Sequence, residues 1–148
     1  MAGLSPQIVT ETLYALTVTG EPRFVPTEIH LLTTAEGAER ARLTLLGDDP
    51  GWFHRLRRDY GLPDIRFTLD SLHILRAADG RPLDDIRGVA DNEAIADAIT
   101  NQVRELTADP DGAIHASIAG GRKTMGFYLG YALSLFGRPQ DRLSHVLV

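Results

Sequence analysis

Between Ser117 and Gly126 the sequence reads SIAGGRKTMG, which places two glycines, two cations and a hydroxyl directly after an alternating apolar run. If this is the turn from a strand into a helix, the first helical amides have no intrahelical acceptors and carry partial positive charge, so they suit a phosphate or phosphodiester. Gly120 and Gly121 remove the Cβ atoms that would block close approach. Arg122 and Lys123 add formal charge, and Thr124 adds a hydroxyl. Two nucleotide motifs are excluded. A Walker loop needs a glycine four residues before its Gly-Lys pair, but Lys123 follows Arg122 and Ala116 stands upstream; no G-x-G-x-x-G follows any strand-like run. The plainer alternative is a tight turn with solvated cations.

A second candidate turn lies at the start, in GLSPQIVTETLYAL. Ser5 is placed to cap a helix whose first residue is Pro6. Only Met1 and Ala2 precede Gly3, so the strand that should feed this turn is almost absent. Either an apolar segment is missing before it, or the sheet has one strand fewer than its pattern suggests. His30, His115 and His145 fall on strand-like runs and could converge on zinc, but no pair has helical i, i+4 spacing and no cysteine supports them. Strand histidines satisfied by polar neighbours are the preferred reading, with no metal and no cofactor.

The elements that would position these residues alternate. PTEIHLLTTAEGAERARLTLL passes from a strand at Glu28 to Leu32 into a helix. GWFHRLRRDYGLP is a short amphipathic helix closed by Gly61 and Pro63, with Trp52 as a packing anchor. Phe67, Leu69, Leu72 and Ile74 alternate as a strand or hairpin that ends at Asp79-Gly80. Asp91 is the N-cap candidate of a helix with Ile95, Ile99, Val103 and Leu106 on one stripe. AIHASIA, the helix through to Gly137 and RLSHVLV then form a βαβ unit. Along that last helix Gly126, Gly130 and Ser134 make a small-residue stripe, packed either on its own sheet or across a dimer axis. The expected class is α/β: a mostly parallel sheet with helices on both faces and sites at the carboxyl ends of the strands.

A chain of 148 residues has room for one core, and 43% apolar with 24% charged residues is a globular balance. The net charge of −5 argues against a surface coated for duplex DNA. No apolar run approaches the roughly 20 residues of a membrane span and no signal-peptide pattern opens the chain, so a cytoplasmic protein is expected. The absence of cysteine agrees with a reducing compartment and excludes thiolate chemistry.

GLSPQIVTETLYAL, PTEIHLLTTAEGAERA, the Asp91-Asn92 pair and SIAGGRKTMGFYLGYALSLFGRPQDRLSHVLV together resemble the CARF (CRISPR-associated Rossmann fold) domain of the CRISPR-associated ring nuclease family, over nearly the whole chain. The resemblance implies a single Rossmann-like CARF-type domain over 1–148, a homodimer, and cyclic oligoadenylate from type III CRISPR systems as ligand, with the tetramer favoured. It places Gly3, Leu4, Ser5, Pro6, Gln7 and Thr10 on one wall of the ligand cleft and Ala119, Gly120, Gly121, Arg122, Lys123 and Thr124 on another. Thr33, Thr34, Glu36 and Asn92 are weaker candidates, with Asp91 beside them.

The implied reaction is attack of a ribose 2′-hydroxyl on its neighbouring phosphodiester, leaving a 2′,3′-cyclic phosphate. In-line positioning alone can lower such a barrier by about 7–11 kcal/mol. Lys123 and Arg122 would stabilise charge on the phosphoryl oxygens and Ser5 would position the 2′-hydroxyl. The alternative is a non-catalytic sensor of the same ring that regulates an effector ribonuclease domain beyond Val148. Such ribonuclease domains carry an arginine a few residues before a histidine; Arg66 to His73 and Arg138 to His145 match that spacing, but lie on turn or strand patterns and are read as chance. An unrelated α/β binder of nucleotides or sugar phosphates is the third reading.

Overall fold

The computed structural model describes residues 1–145. Strand β1 (Leu31–Thr33) pairs in parallel with β2 (Leu72–Ile74), Leu31 opposite Leu72, and β3 (His115–Ser117) pairs in parallel with β4 (Arg142–Ser144), His115 opposite Arg142. The expected α/β class and parallel pairing are therefore present. The single sheet is not: its strands form two two-stranded sheets.

The reason lies between them. The Met1 amine donates to the Ser117 carbonyl at 3.1 Å, and the Ala2 amide donates to the Leu32 carbonyl at 3.3 Å. Met1 thus holds β3 while Ala2 holds β1. Met1 packs into one apolar cluster and Ala2 into the other, as successive residues of a strand do. Leu32 and Leu31 divide between the same two clusters. Two residues join the half-sheets where a whole strand was expected.

Helix α1 (Ile8–Tyr14), α2 (Ala35–Leu45) and α3 (Trp52–Asp59) build the cluster around Leu13, Leu45 and Phe53. Helix α4 (Val89–Leu106) and α5 (Lys123–Phe136) build the other, around Ile95, Ile99 and Met125. Of the predicted α4 stripe, Ile95, Ile99 and Val103 are buried as the spacing predicts, while Leu106 at the last turn is half-buried. No helix among the described residues is long and apolar enough to cross a membrane. Val146 to Val148, part of the last predicted strand, lie outside the described residues.

Several local expectations change. Helix α1 starts two residues later than predicted, with Gln7 rather than Ser5 at its N-cap, because the Ser5 and Pro6 carbonyls close a preceding turn on the Ile8 and Val9 amides. After Tyr14 it widens into a π-helical turn over Ala15–Thr19. Gly88 caps α4, and Asp91, one turn in, accepts the Arg87 amide at 3.2 Å. Trp52 is 49% exposed with the Arg55 guanidinium over its ring, while its neighbour Phe53 anchors the core. Leu69 falls in a 3-10 turn (Leu69–Ser71) instead of a strand.

Candidate functional site

Three strand-to-helix turns meet at the carboxyl end of the parallel strands. A Cβ on Gly37, in the first turn of α2, would stand 2.8 Å from the Gly3 carbonyl oxygen; one on Gly3 would touch the Gly121 Cα at 3.5 Å. A Cβ on Gly120 would meet the Met1 carbonyl oxygen at 2.8 Å. Glycine is needed at these points because backbone passes against backbone. Gly121 is also glycine for its own conformation, with φ +86°.

The Gly-Gly turn leads into α5 as the spacing predicts. Arg122 is its N-cap residue, and its carbonyl accepts the Met125 and Gly126 amides at 3.0 and 3.2 Å. Gly121, Arg122, Lys123 and Thr124 are exposed, and Ala119 and Gly120 are half-buried. The first amides of α5 are therefore presented beside Lys123, which makes no ion pair among the described residues. Arg122 differs. Its guanidinium binds Asp85 at 2.5 Å, and the Ile86 amide, helped by that guanidinium, holds the Asp85 carboxyl below its ordinary range. Asp85 lies 37 residues upstream, and nothing in the sequence pattern pointed to it.

The first turn has a different setting. Leu4, Ser5, Pro6, Gln7 and Thr10 line a hollow of about 430 Å³ together with Arg40 of α2, and its lining includes none of residues 120–124. Ser5 is exposed, and its hydroxyl has no hydrogen-bond partner among the described residues. Thr10 Oγ1 donates to the Gln7 carbonyl at 2.8 Å. Ser5 thus lines a hollow that Lys123 does not share.

The weaker candidates have structural work. Thr34 Oγ1 caps α2 by accepting the Gly37 amide at 3.3 Å. Thr33 is fully buried and its hydroxyl is unpaired. Glu36 pairs with Arg40 at 2.8 Å. Asn92 donates to the Tyr128 hydroxyl at 2.5 Å, tying α4 to α5 near the turn. Sequence reasoning missed Arg40 because an Arg four residues after a Glu reads as an ordinary helix pair.

The histidines divide among separate partners. His30 Nδ1 lies 2.9 Å from His73 Nε2 and its Nε2 lies 3.0 Å from Glu28, while His115 Nε2 meets Ser144 Oγ at 2.8 Å. Burial lowers the pKa of His30, His73 and His115. Neither arginine of the two Arg-to-His spacings is free: Arg66 pairs with Glu28 and Arg138 with Asp141.

Parallel strand pairs, helices packed over them and glycine-built turns gathered at the strand ends define an α/β protein with an exposed glycine-built turn at the start of α5. Residues 5–148 match the family described as CRISPR-associated protein NE0113 (Cas_NE0113), and the chain belongs to that family. No curated protein and no solved structure matches it.

Proposed function

We propose that this CRISPR-associated protein is a Rossmann-like CARF-type domain acting in the cytoplasm. It binds cyclic oligoadenylate, the tetramer first, in a cleft shared by two copies, and cleaves the ring without a metal. The observation that carries the reading is the exposed turn at Gly120 to Thr124. Free α5 amides, an unpaired Lys123 and a glycine-lined approach lie together there. Family membership and the resemblance of the quoted blocks to ring nucleases supply the ligand class.

In this reading the α5 amides and Lys123 hold a bridging phosphate, and their charge is worth most as the phosphorane oxygens become more negative. The ribose 2′-hydroxyl attacks its own phosphorus, the 5′-oxygen leaves, and Ser5 orients the ribose. Two copies would meet through the exposed stripe Phe127, Tyr131 and Leu135, one turn apart along α5 and immediately after the turn. The Gly126–Gly130 stripe instead faces the protein's own sheet: added Cβ atoms there would approach Ile118 and Leu143.

A specific observation also favours a sensor. Arg122 is held by Asp85 and Ser5 opens onto a separate hollow, so Lys123 is the one cation of the turn without a protein partner among the described residues. That set suffices to bind a phosphodiester without aligning an attack.

The experiment is incubation with cyclic tetra- and hexa-adenylate in EDTA, alongside calorimetry. Cleavage to 2′,3′-cyclic phosphate products supports the nuclease; binding of one ring per two chains with no product supports the sensor. Lys123→Ala should weaken binding roughly ten- to a hundredfold, as expected for loss of a charge-assisted hydrogen bond. Turnover should fall by a further factor on the order of a hundred. Rings that neither bind nor react would refute both readings.

A further inference from the structure

The hollow beside the first turn holds a side chain that neither the core nor the proposed chemistry uses. Trp52 opens α3 and is 49% exposed, because Phe53, the next residue, takes the core position. Its indole lines the hollow of about 430 Å³, whereas Arg55, whose guanidinium lies 5.3 Å from the ring centroid, does not. The hollow therefore meets the part of the ring that Arg55 leaves open. Pro6 and Leu45, both buried, give it an apolar floor.

Its polar groups are few and largely unengaged. Gln7 is exposed and stands at the N-cap of α1, yet its side chain makes no capping bond, so a carboxamide with one acceptor and two donors is open to the hollow. Arg40 gives Nε and Nη2 to Glu36 and retains Nη1. It is the one charged residue of the described lining, and its charge is already paired. A strongly ionic ligand is therefore a poor match. An exposed indole over an apolar floor, with a carboxamide at the edge, matches a flat heterocycle: the indole stacks on its face and the amide reads its rim. Adenine presents an acceptor beside a donor, N7 and N6, and a glutamine carboxamide satisfies both; guanine presents two acceptors there.

We propose that this hollow is an adenine subsite, in which Trp52 stacks on the base and Gln7 pairs with its N6 and N7 edge; the assignment of that adenine to a ring rests on the reading above. The place of the hollow agrees with it. A Cβ on Gly3 would touch Gly121, in the turn proposed to hold the phosphate, and Ser5 of the hollow follows Gly3 by two residues, a span of at most about 7 Å. A phosphate on the α5 amides and a base beside Trp52 can then be parts of one ligand. Stacking also gives a use to a tryptophan that packing alone leaves half in water.

Trp52 is the sole tryptophan, so its emission reports on the site directly. The test titrates the protein with cyclic tetra-adenylate, adenosine monophosphate and guanosine monophosphate, reading fluorescence and calorimetry in parallel. The subsite predicts that the ring quenches the emission, and that millimolar adenosine monophosphate does so more weakly but ahead of guanosine monophosphate. Trp52→Ala should weaken ring binding roughly five- to a hundredfold, and Trp52→Phe by less than about threefold, because a phenyl ring still stacks. Gln7→Ala should bring the two mononucleotides to similar affinity. A ring that binds with unchanged emission, or that binds Trp52→Ala as tightly as the unaltered protein, would overturn the subsite and leave ring binding standing. Equal loss in Trp52→Ala and Trp52→Phe would overturn it too, since the side chain would then serve the fold. A ring that does not bind removes the ring reading instead, and the mononucleotide decides: quenching by adenosine monophosphate upholds the subsite, and none at millimolar concentration overturns it.

Discussion

The turn at Gly120–Gly121 follows strand β3, paired along its length, and runs into the 14-residue α5. The turn at Gly3–Gln7 follows Met1 and Ala2 and runs into a 7-residue helix, which then widens over 5 more residues. Both occupy the same kind of place, at the carboxyl end of strands and against each other. A helix start is costly to nucleate, so its regularity reflects how firmly the preceding residues are held. Lys123 sits on the firmly held turn, Ser5 on the loosely held one.

The most damaging change should act where the first turn is clamped. In Gly37→Ala the new Cβ would stand 2.1 Å from Thr33 Oγ1, inside the core, and 2.8 Å from the Gly3 carbonyl. Overpacking of this kind costs about 3 kcal/mol. Gly126→Ala provides the contrast: its Cβ would come no nearer than 3.8 Å to Ile118, and replacing a helical glycine should stabilise by up to about 1 kcal/mol. Urea unfolding of the two variants should move in opposite directions. A neutral Gly37→Ala would show that the first turn is free to shift, removing the contrast between the turns.

The next effect tests how Met1 is held. Its amine has a pKa near 6 in the folded protein against 8.0 as the ordinary value, because burial disfavours the charge. The unfolded chain therefore binds more protons between those values, and stability rises as pH goes from 6 to 8, by about 2–3 kcal/mol. His30, His73 and His115 are shifted downward too and contribute with the same sign. Acetylation of the N-terminus separates them, since it should remove the amine's part of the pH slope and leave the histidine part. An unchanged slope would mean that the amine reaches water.

On the β3–β4 side the corresponding clasp is Asp141. Its carboxylate accepts from Arg138 Nε and Nη2, both at 3.0 Å, and from the Ile114 amide at 2.8 Å, with the side chain 2% exposed. The Arg138 guanidinium, with those amide hydrogen bonds, lowers the pKa from 3.8 to about 2. Its contribution, on the order of 2 kcal/mol, is complete above pH 4 and lost as pH falls toward 2. Asp141→Asn should cost about that much at pH 7 and flatten the acid limb of the stability curve. If the limb is unchanged, the firmness of this half has another source.

What the sequence disclosed follows the same division. The α5 start, the Gly-Gly turn and the α4 stripe are local patterns, in which glycine, periodicity and capping types carry the signal, and their positions matched the structure. The Arg122–Asp85 pair was invisible because it joins segments 37 residues apart on exposed surfaces, where no periodicity operates. Trp52 was misplaced because an aromatic at a helix start has no register until the neighbouring Phe53 takes the core position. The division of the strands into two half-sheets was not legible, because it required knowing which edges face each other.

The smallest expected effect distinguishes two hydroxyls that both stand before helices, of which only Ser5 was expected from the sequence to cap one. Both Ser5 and Thr34 precede helices, and either could cap one. Only Thr34 does so, through Gly37, while Ser5 stands before a helix capped by Gln7 and its hydroxyl touches no protein group among the described residues. Thr34→Ala should therefore cost about 1 kcal/mol in urea unfolding. Ser5→Ala should stay within about 0.5 kcal/mol, as for an exposed side chain without a partner. If Ser5→Ala leaves stability untouched and slows ring cleavage, the hydroxyl serves the ligand. Should it instead destabilise as Thr34→Ala does, the serine caps α1 in solution, and the two turns are closer in construction than their helices suggest.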